Sequence, residues 1–201
     1  MNAPVTLMLD DADLARADAY AVLAHLLFGP PQAAVLDTLR QSQRDAGGDE
    51  VSAAWNALCA AAGDAKAIAD EYAALFVSVG KPEVSLYGSW YLTGFLMEKP
   101  LALLRDDLAR LGLARQEQQQ DPEDHMAGEL EVMRHLIMRG DAAWQQCFFQ
   151  QHLQPWYGDF CAALAAAETS VFYRAVARFM QTFLDMERDY FRLQAADGGV
   201  K

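Results

Sequence analysis

Asp121-Pro122-Glu123-Asp124-His125-Met126-Ala127-Gly128-Glu129-Leu130-Glu131-Val132-Met133 reads as the opening of an amphipathic helix. Asp121 is placed to cap it, its carboxylate accepting from an orphan backbone N–H. Pro122 then falls at the first helical position, where a missing N–H costs nothing. Glu123 and Asp124 set negative charge against the positive end of the helix dipole. Met126, Leu130, Met133 and Ile137 follow at 4-3-4 spacing and form an apolar stripe. His125 and Glu129 lie four apart, on one face. The expectation is a helix from Asp121 to Gly140 with a core side and, beside it, a polar edge carrying Asp124, His125 and Glu129.

The same 3.6-residue period recurs along the chain. It predicts helices over 13–27, 32–43, 50–62, 65–76, 98–111, 142–153, 155–167 and 170–193, with a frayed tail from Ala195. Gly29-Pro30-Pro31, Asp45 to Asp49 and Gly63 break the pattern; Asp64 and Asp141 stand as caps, and Pro155 as a helix start. The inward faces are Leu14, Ala17, Ala21, Ala24 and Leu27 or Phe28 in the first helix. They are Ile68, Tyr72, Leu75 and Phe76 in the fourth, and Leu101, Leu104, Leu108 and Leu111 in the fifth. The last helix presents Phe172, Val176, Phe179, Phe183 and Tyr190. Val77 to Gly94 reads as a long connection rich in glycine and aromatics, including Tyr87, Trp90 and Tyr91, and long loops of this kind are often functional. The alternative is a loop that folds back to plug the core. No strand pattern and no repeat is present. The fold class is therefore all-α, one domain over 1–201 with roughly nine helices. The Gln-rich stretch 112–120 reads as a polar hinge between subdomains of roughly 1–111 and 121–195, which would permit a domain-swapped dimer as well as a monomer.

Composition narrows the function. In 201 residues the formal net charge is −12, which disfavours nucleic acid and suits a basic partner, although acidity alone also serves solubility. Hydrophobic residues make up 53%, enough for a sizeable core. Cys59, Cys147 and Cys161 are scattered and odd in number, which argues against disulfides and for a reducing cytoplasm; each is expected to be a small buried hydrophobe. Met1 to Asp11 lacks the basic start of a secretory signal, and no apolar run is long enough to span a bilayer, so no direct membrane insertion is expected.

Three chemistries are open to an Asp124–His125–Glu129 edge. A metal centre lacks its ligand motifs: no Glu-x-x-His, no His-Glu-x-x-His and no paired cysteines occur. Acid–base catalysis lacks a nucleophile, and no phosphate-binding loop or nucleophile elbow is present, so no catalytic residue, metal or cofactor is expected. Helix capping plus a surface ion pair is the purely structural reading. Peptide binding fits best: carboxylates beside apolar surface, with Tyr87, Trp90 and Tyr91 as aromatic anchors, suit a segment basic at one end and apolar along the rest.

The sequence resembles the TorD/DmsD/NarJ group of cytoplasmic molybdoenzyme maturation chaperones. Three blocks carry the likeness: Glu71-Tyr72-Ala73-Ala74-Leu75-Phe76, Tyr87-Gly88-Ser89-Trp90-Tyr91, and Asp121-Pro122-Glu123-Asp124-His125 with Glu129-Leu130. Phe148 with His152-Leu153-Gln154-Pro155-Trp156 and Phe160 supports them. Asp121 stands where the family usually has Glu, and Leu92-Thr93-Gly94-Phe95 replaces an Asp-Arg-Glu-Gly found in several relatives. The resemblance implies an all-helical, non-enzymatic chaperone of the cytoplasm. It would bind the twin-arginine signal peptide and the apo form of a molybdoenzyme catalytic subunit, and hold the client back until its cofactor is inserted. The implied contacts are Asp124 and His125, with Tyr72, Leu75, Phe76, Tyr87, Ser89, Trp90, Tyr91 and Glu129 around them. The alternative within the family is a chaperone of the mature part of the client, without leader proofreading.

Overall fold

The computed structural model describes residues 9–43, 48–77, 82–114 and 121–198. Among them are ten α-helices, joined by turns and one isolated β-bridge. They are α1 Asp11–Phe28, α2 Ala33–Gln41, α3 Glu50–Ala61, α4 Ala65–Tyr72, α5 Gly88–Thr93, α6 Lys99–Arg110, α7 Met126–Met138, α8 Ala142–Phe148, α9 Tyr157–Ala166 and α10 Phe172–Gly198. Single π-helical turns extend α4 over Ala73–Val77 and α8 over Phe149–Leu153. The all-α expectation holds.

Aspartates set most of the helix starts. The side chains of Asp10, Asp49, Asp64 and Asp141 each accept from the backbone N–H three residues on, satisfying one orphan donor in α1, α3, α4 and α8. The start of α10 is capped from a distance. Glu71, at the end of α4, accepts from the backbone N–H groups of Val171, Phe172 and Tyr173. The first family-like block thus anchors the longest helix.

The core is continuous. α1 lies chiefly along α7, and α10 lies against α3 and α9. The two halves on either side of the expected hinge therefore pack across one another, while residues 115–120 of that hinge lie outside the described residues. The stripe Met126, Leu130, Met133, Ile137 is wholly buried, as are Leu101, Leu104, Leu108 and Leu111 of the α6 region. No helix among the described residues is long and apolar enough to cross a membrane.

Several expectations are corrected. In α1, Leu14 and Phe28 are exposed; Tyr20, Leu23 and Leu26 take the inward places, with Arg16 buried among them. In α10, Tyr190 is partly exposed and Phe191 fills the core position, because the buried stripe runs through Glu187. Trp156 is the residue preceding α9, so that helix starts at Tyr157 and not at Pro155. Cys59 and Cys161 are buried as expected, but Cys147 is only partly so. The connection after Val77 is not all loop: Gly88–Thr93 forms α5, closed by Gly94 in the left-handed conformation at φ 81°. Residues 78–81 lie outside the described residues.

Candidate functional site

The deciding helix starts later than its sequence implies. α7 begins at Met126, and His125 is its N-cap, Nδ1 accepting from the Ala127 N–H at 3.1 Å. Asp121 to Asp124 form a turn ahead of it. The reason is a contact from the preceding segment. Gly88 N–H donates to Asp124 O at 2.9 Å, and Met126 N–H donates to Leu86 O at 2.8 Å, which makes an antiparallel bridge between Tyr87 and His125. Those bonds hold the backbone extended through His125, so Asp121 is not the cap and Pro122 is not the first helical residue.

This bridge brings the second and third family-like blocks together. Asp124 Oδ2 accepts from the Ser89 N–H at 2.8 Å and from the Ser89 hydroxyl, fixing the first turn of α5. Tyr87 donates its hydroxyl to Asp121 Oδ1 at 2.8 Å, and its ring meets the His125 ring edge-on at 5.4 Å between centroids. Burial pushes the Tyr87 hydroxyl well above its ordinary range, and the Asp121 carboxylate adds to it. Trp156 closes the arrangement from below. Its indole N–H donates to Glu129 Oε2 at 3.1 Å, and Tyr91 stacks on it at 5.5 Å. A Cβ on Gly88 would meet the Trp156 ring at 3.0 Å, so a larger residue there requires the indole to give way by a few tenths of an ångström.

The expected surface edge is not on the surface. Asp124 is 3% exposed, Glu129 3% and His125 9%. Nor do the three share a side. Asp124 and Glu129 line a cleft of about 600 Å³ between α5, α6 and the turn at His152. His125, with Asp121 and Glu123, lines a second cleft of about 550 Å³ against α1. The split follows from the cap: Glu129 N–H still donates to His125 O at 3.1 Å, but His125 itself has extended backbone angles, so its side chain leaves the helix face that carries Glu129.

The first cleft carries the chemistry. Asp107 lies in it with both oxygens engaged, by His152 Nε2 at 2.9 Å and by Arg110 at 2.7 Å. Asp124 differs. Its Oδ1 is buried and has no hydrogen-bond partner, one of two such side-chain atoms among the described residues, the other being Ser170 Oγ. Burial lowers the pKa values of His125 and His152 below the ordinary 6.5 against the pull of Asp121, Asp124 and Asp107, so neither imidazole neutralises the carboxylates at neutral pH. The cleft thus gathers Asp106, Asp107, Asp124 and Glu129 with Lys99 and Arg110, and Asp124 Oδ1 is a buried acceptor in its wall that has no partner. Leu92 and Leu103 line the cleft with exposed apolar side chains, and Trp90 of α5 and Phe95, Leu96 and Met97 of the adjoining α5–α6 turn are exposed as well. Met97 holds a positive φ of 60°, an uncommon conformation for a side-chain-bearing residue.

Of the other expected contacts, Leu75 and Ser89 are fully buried and Tyr72 nearly so. Tyr72 donates to Leu27 O at 3.2 Å and packs edge-on with Phe76, and both rings meet Tyr173 of α10. Tyr72, Leu75 and Phe76 therefore form a packing cluster and do not line the acidic cleft. Sequence reasoning missed Asp107 and Leu103, because α6 showed only an ordinary leucine stripe. His152 and Trp156 were visible within the supporting block but had no assigned role.

Glu129 yields a pH test. Burial raises its pKa well above 4.5, the Trp156 indole pulls it back, and the Asp124 charge raises it again. A carboxyl with a raised native pKa keeps a proton that the unfolded chain releases near 4.5, so stability falls as pH rises between the two values. Glu129→Gln keeps an acceptor for the indole and cannot ionise. Its urea midpoint relative to wild type is expected to rise as the pH climbs above the unfolded carboxyl's range. A difference independent of pH contradicts this assignment.

A chaperone protein TorD from Shewanella pealeana is 29% identical over 132 residues, covering 61% of this chain and 60% of the relative. A TorD from Vibrio atlanticus is 27% identical over 133 residues, with 60% and 62% covered. The chain thus spans about three-fifths of the length of these two relatives. A TorD from Aeromonas salmonicida is 28% identical over 196 residues, covering 92% of this chain and 85% of that one. In structure the chain is similar to a redox enzyme maturation protein from Archaeoglobus fulgidus, with a TM-score of 0.57 at 19% identity, covering 92% of this chain and 99% of the other. That likeness concerns the fold. Residues 41–162, more than half of the chain, match the model of the nitrate reductase delta subunit family, and the chain belongs to that family.

Proposed function

We propose that this protein is a system-specific, cytoplasmic chaperone that binds the twin-arginine signal peptide of a molybdenum-containing oxidoreductase and assists its cofactor insertion and assembly before export. The observation that carries the reading is the buried, unpartnered Oδ1 of Asp124, a residue lining a cleft near exposed apolar side chains. A leader of this kind is basic at its start and apolar in its middle, so one end matches the carboxylate and the rest matches those side chains. The names of the TorD relatives support the chaperone part of this assignment.

Burial changes how Asp124 would act. Its Oδ2 is committed to Ser89, so an arginine would receive one charge-assisted acceptor, Oδ1, and not a fork across both oxygens. Glu129 would tune the cleft, and Trp90, Tyr91 and Leu103 would flank the apolar segment. Tyr87 and His125 would position the Asp124 turn through their ring contact and the backbone bridge. Tyr72, Leu75, Phe76 and Ser89 would support the site from within.

Calorimetric titration of a synthetic leader peptide tests the reading. Replacing its two arginines by alanine is expected to weaken binding by at least about tenfold, since a charge-assisted pair in a buried site is lost. Equal affinity for both peptides contradicts leader recognition, and capture of a leaderless client would then favour binding of the mature enzyme.

A further inference from the structure

The supporting block around His152 has a use in the first cleft. His152 rides on the single π-helical turn over Phe149–Leu153, a distortion found frequently at functional sites. Its Nε2 meets Asp107 Oδ2 of α6 at 2.9 Å. Trp156, four residues on, donates to Glu129, and Ser89 of α5 donates twice to Asp124. Each of the three buried carboxyl groups lining this cleft is therefore gripped by an uncharged donor from one of the family-like blocks. Such donors fix a carboxylate without cancelling its charge. The acids of the cleft do not offer the same thing. Burial favours the protonated form of Glu129. Asp106 is exposed, where an ion pair is worth little. Asp107 is 5% exposed and firmly held. Its Oδ1 receives Arg110 at 2.7 Å, from a side chain that is itself 68% exposed. Each Asp107 oxygen thus carries one bond, and a carboxylate accepts about four, so a further N–H can join without expelling His152 or Arg110.

Resting on the peptide-binding reading above, we propose that the two arginines of the leader divide between Asp124 and Asp107, with His152 a positioning residue for the second acceptor. Asp124 has one free oxygen, so it takes one guanidinium and leaves the other arginine in need of a carboxylate. Asp107 is the other buried aspartate that lines the same cleft. Neighbouring residues of an extended segment project to opposite sides, so two adjacent arginines can reach two separate acceptors. Asp107 thus makes the site read a pair of arginines and not a single one. Arg110 already shares Asp107, so the second arginine contributes less than the one at Asp124.

Calorimetric titration with three synthetic peptides tests this: one with two adjacent arginines before an apolar segment, and two in which one or the other arginine is alanine. Wild type is expected to bind both single-alanine peptides more weakly than the diarginine peptide. The one that lacks the arginine for Asp107 should lose about threefold to tenfold. Asp107→Asn keeps an oxygen for the His152 N–H. It should weaken diarginine binding by that same factor and become indifferent to one arginine, and Asp124→Asn should become indifferent to the other. His152→Phe leaves the Asp107 charge but removes its holding donor, and should lose sensitivity at the same arginine as Asp107→Asn. Urea midpoints show which variants are folded. A wild type that needs only one of the two arginines overturns this proposal alone, whatever the variants do. So does a folded Asp107→Asn that keeps wild-type affinity, stays sensitive to both arginines, or loses the same one as Asp124→Asn. A folded His152→Phe with wild-type sensitivity overturns the positioning role. A wild type indifferent to both arginines overturns the leader-binding reading and this proposal with it.

Discussion

Glu187→Ala is expected to lower the unfolding free energy by about 3–5 kcal/mol, the cost of breaking a buried ion pair from one side. Glu187 is 0% exposed and lies on the core stripe of α10. Arg16 of α1 meets it as a fork, Nε to Oε1 at 2.7 Å and Nη2 to Oε2 at 2.8 Å. Tyr20 adds its hydroxyl to Oε2 at 3.0 Å. Arg16 Nη2 also donates to Gln145 of α8 at 3.2 Å, and Gln145 donates to Leu136 O at 3.3 Å. The guanidinium lies 4.8 Å from the centre of the Tyr190 ring. The carboxylate therefore ties α10 to α1, and Arg16 carries the link on to α8. Without it the guanidinium keeps Asp13 and Gln145 but loses its only full counter-charge in the core. Burial favours the neutral guanidine, and the bonds and charge of Glu187 outweigh it, so the Arg16 pKa is raised and the charge persists. Stability is of the order of 5–15 kcal/mol for a domain, so the loss is a large share of it. Urea unfolding reads it directly. Replacing both partners, Arg16→Met with Glu187→Leu, is expected to fall within about 1 kcal/mol of wild type, because no charge is then stranded. A single-variant loss below about 1 kcal/mol contradicts the assigned role.

This pair also shows where sequence reading stops. Arg16 and Glu187 are 171 residues apart, and no local pattern reports a partner at that distance. A charged residue four after Phe183 looks like a break in the apolar stripe, so periodicity slid to Tyr190 and passed over Phe191. The reverse holds for features set within one turn. Asp64 and Asp141 are caps because Asp three residues before a helical N–H is a local geometry, and both appear where the spacing puts them. Leucine and methionine stripes in α6 and α7 were equally plain. The acidic block was half legible. Its residue types pointed to a binding turn, and Asp124 does sit with Ser89 and Tyr87. Its placement at the surface was misread, because Asp-Pro followed by acidic residues is the local signature of a helix start, and only the non-local bridge to Leu86 and Gly88 shows that the helix begins later. Leu75 and Phe76 likewise read as a binding block, whereas their packing beneath α10 depends on the distant Tyr173.

The second large effect concerns Asp124. Asp124→Asn keeps an oxygen to accept from the Ser89 N–H, so the start of α5 and the turn before α7 should stay folded. What it removes is the negative charge behind the open acceptor. Because the site is 97% buried, an arginine there would be desolvated, and the lost pair is worth on the order of 2–3 kcal/mol, far more than a solvent-exposed contact. Asp124→Ala would lose the same charge but also strand the Ser89 donors, mixing binding with stability. The amide variant therefore separates the two.

Calorimetric titration of the twin-arginine leader into wild type and Asp124→Asn, each with its urea midpoint recorded, tests the central claim most directly. Affinity about thirtyfold to 150-fold weaker for a variant that remains folded is the predicted result. Equal affinity in a folded variant would show that the open carboxylate oxygen takes no part in gripping the leader.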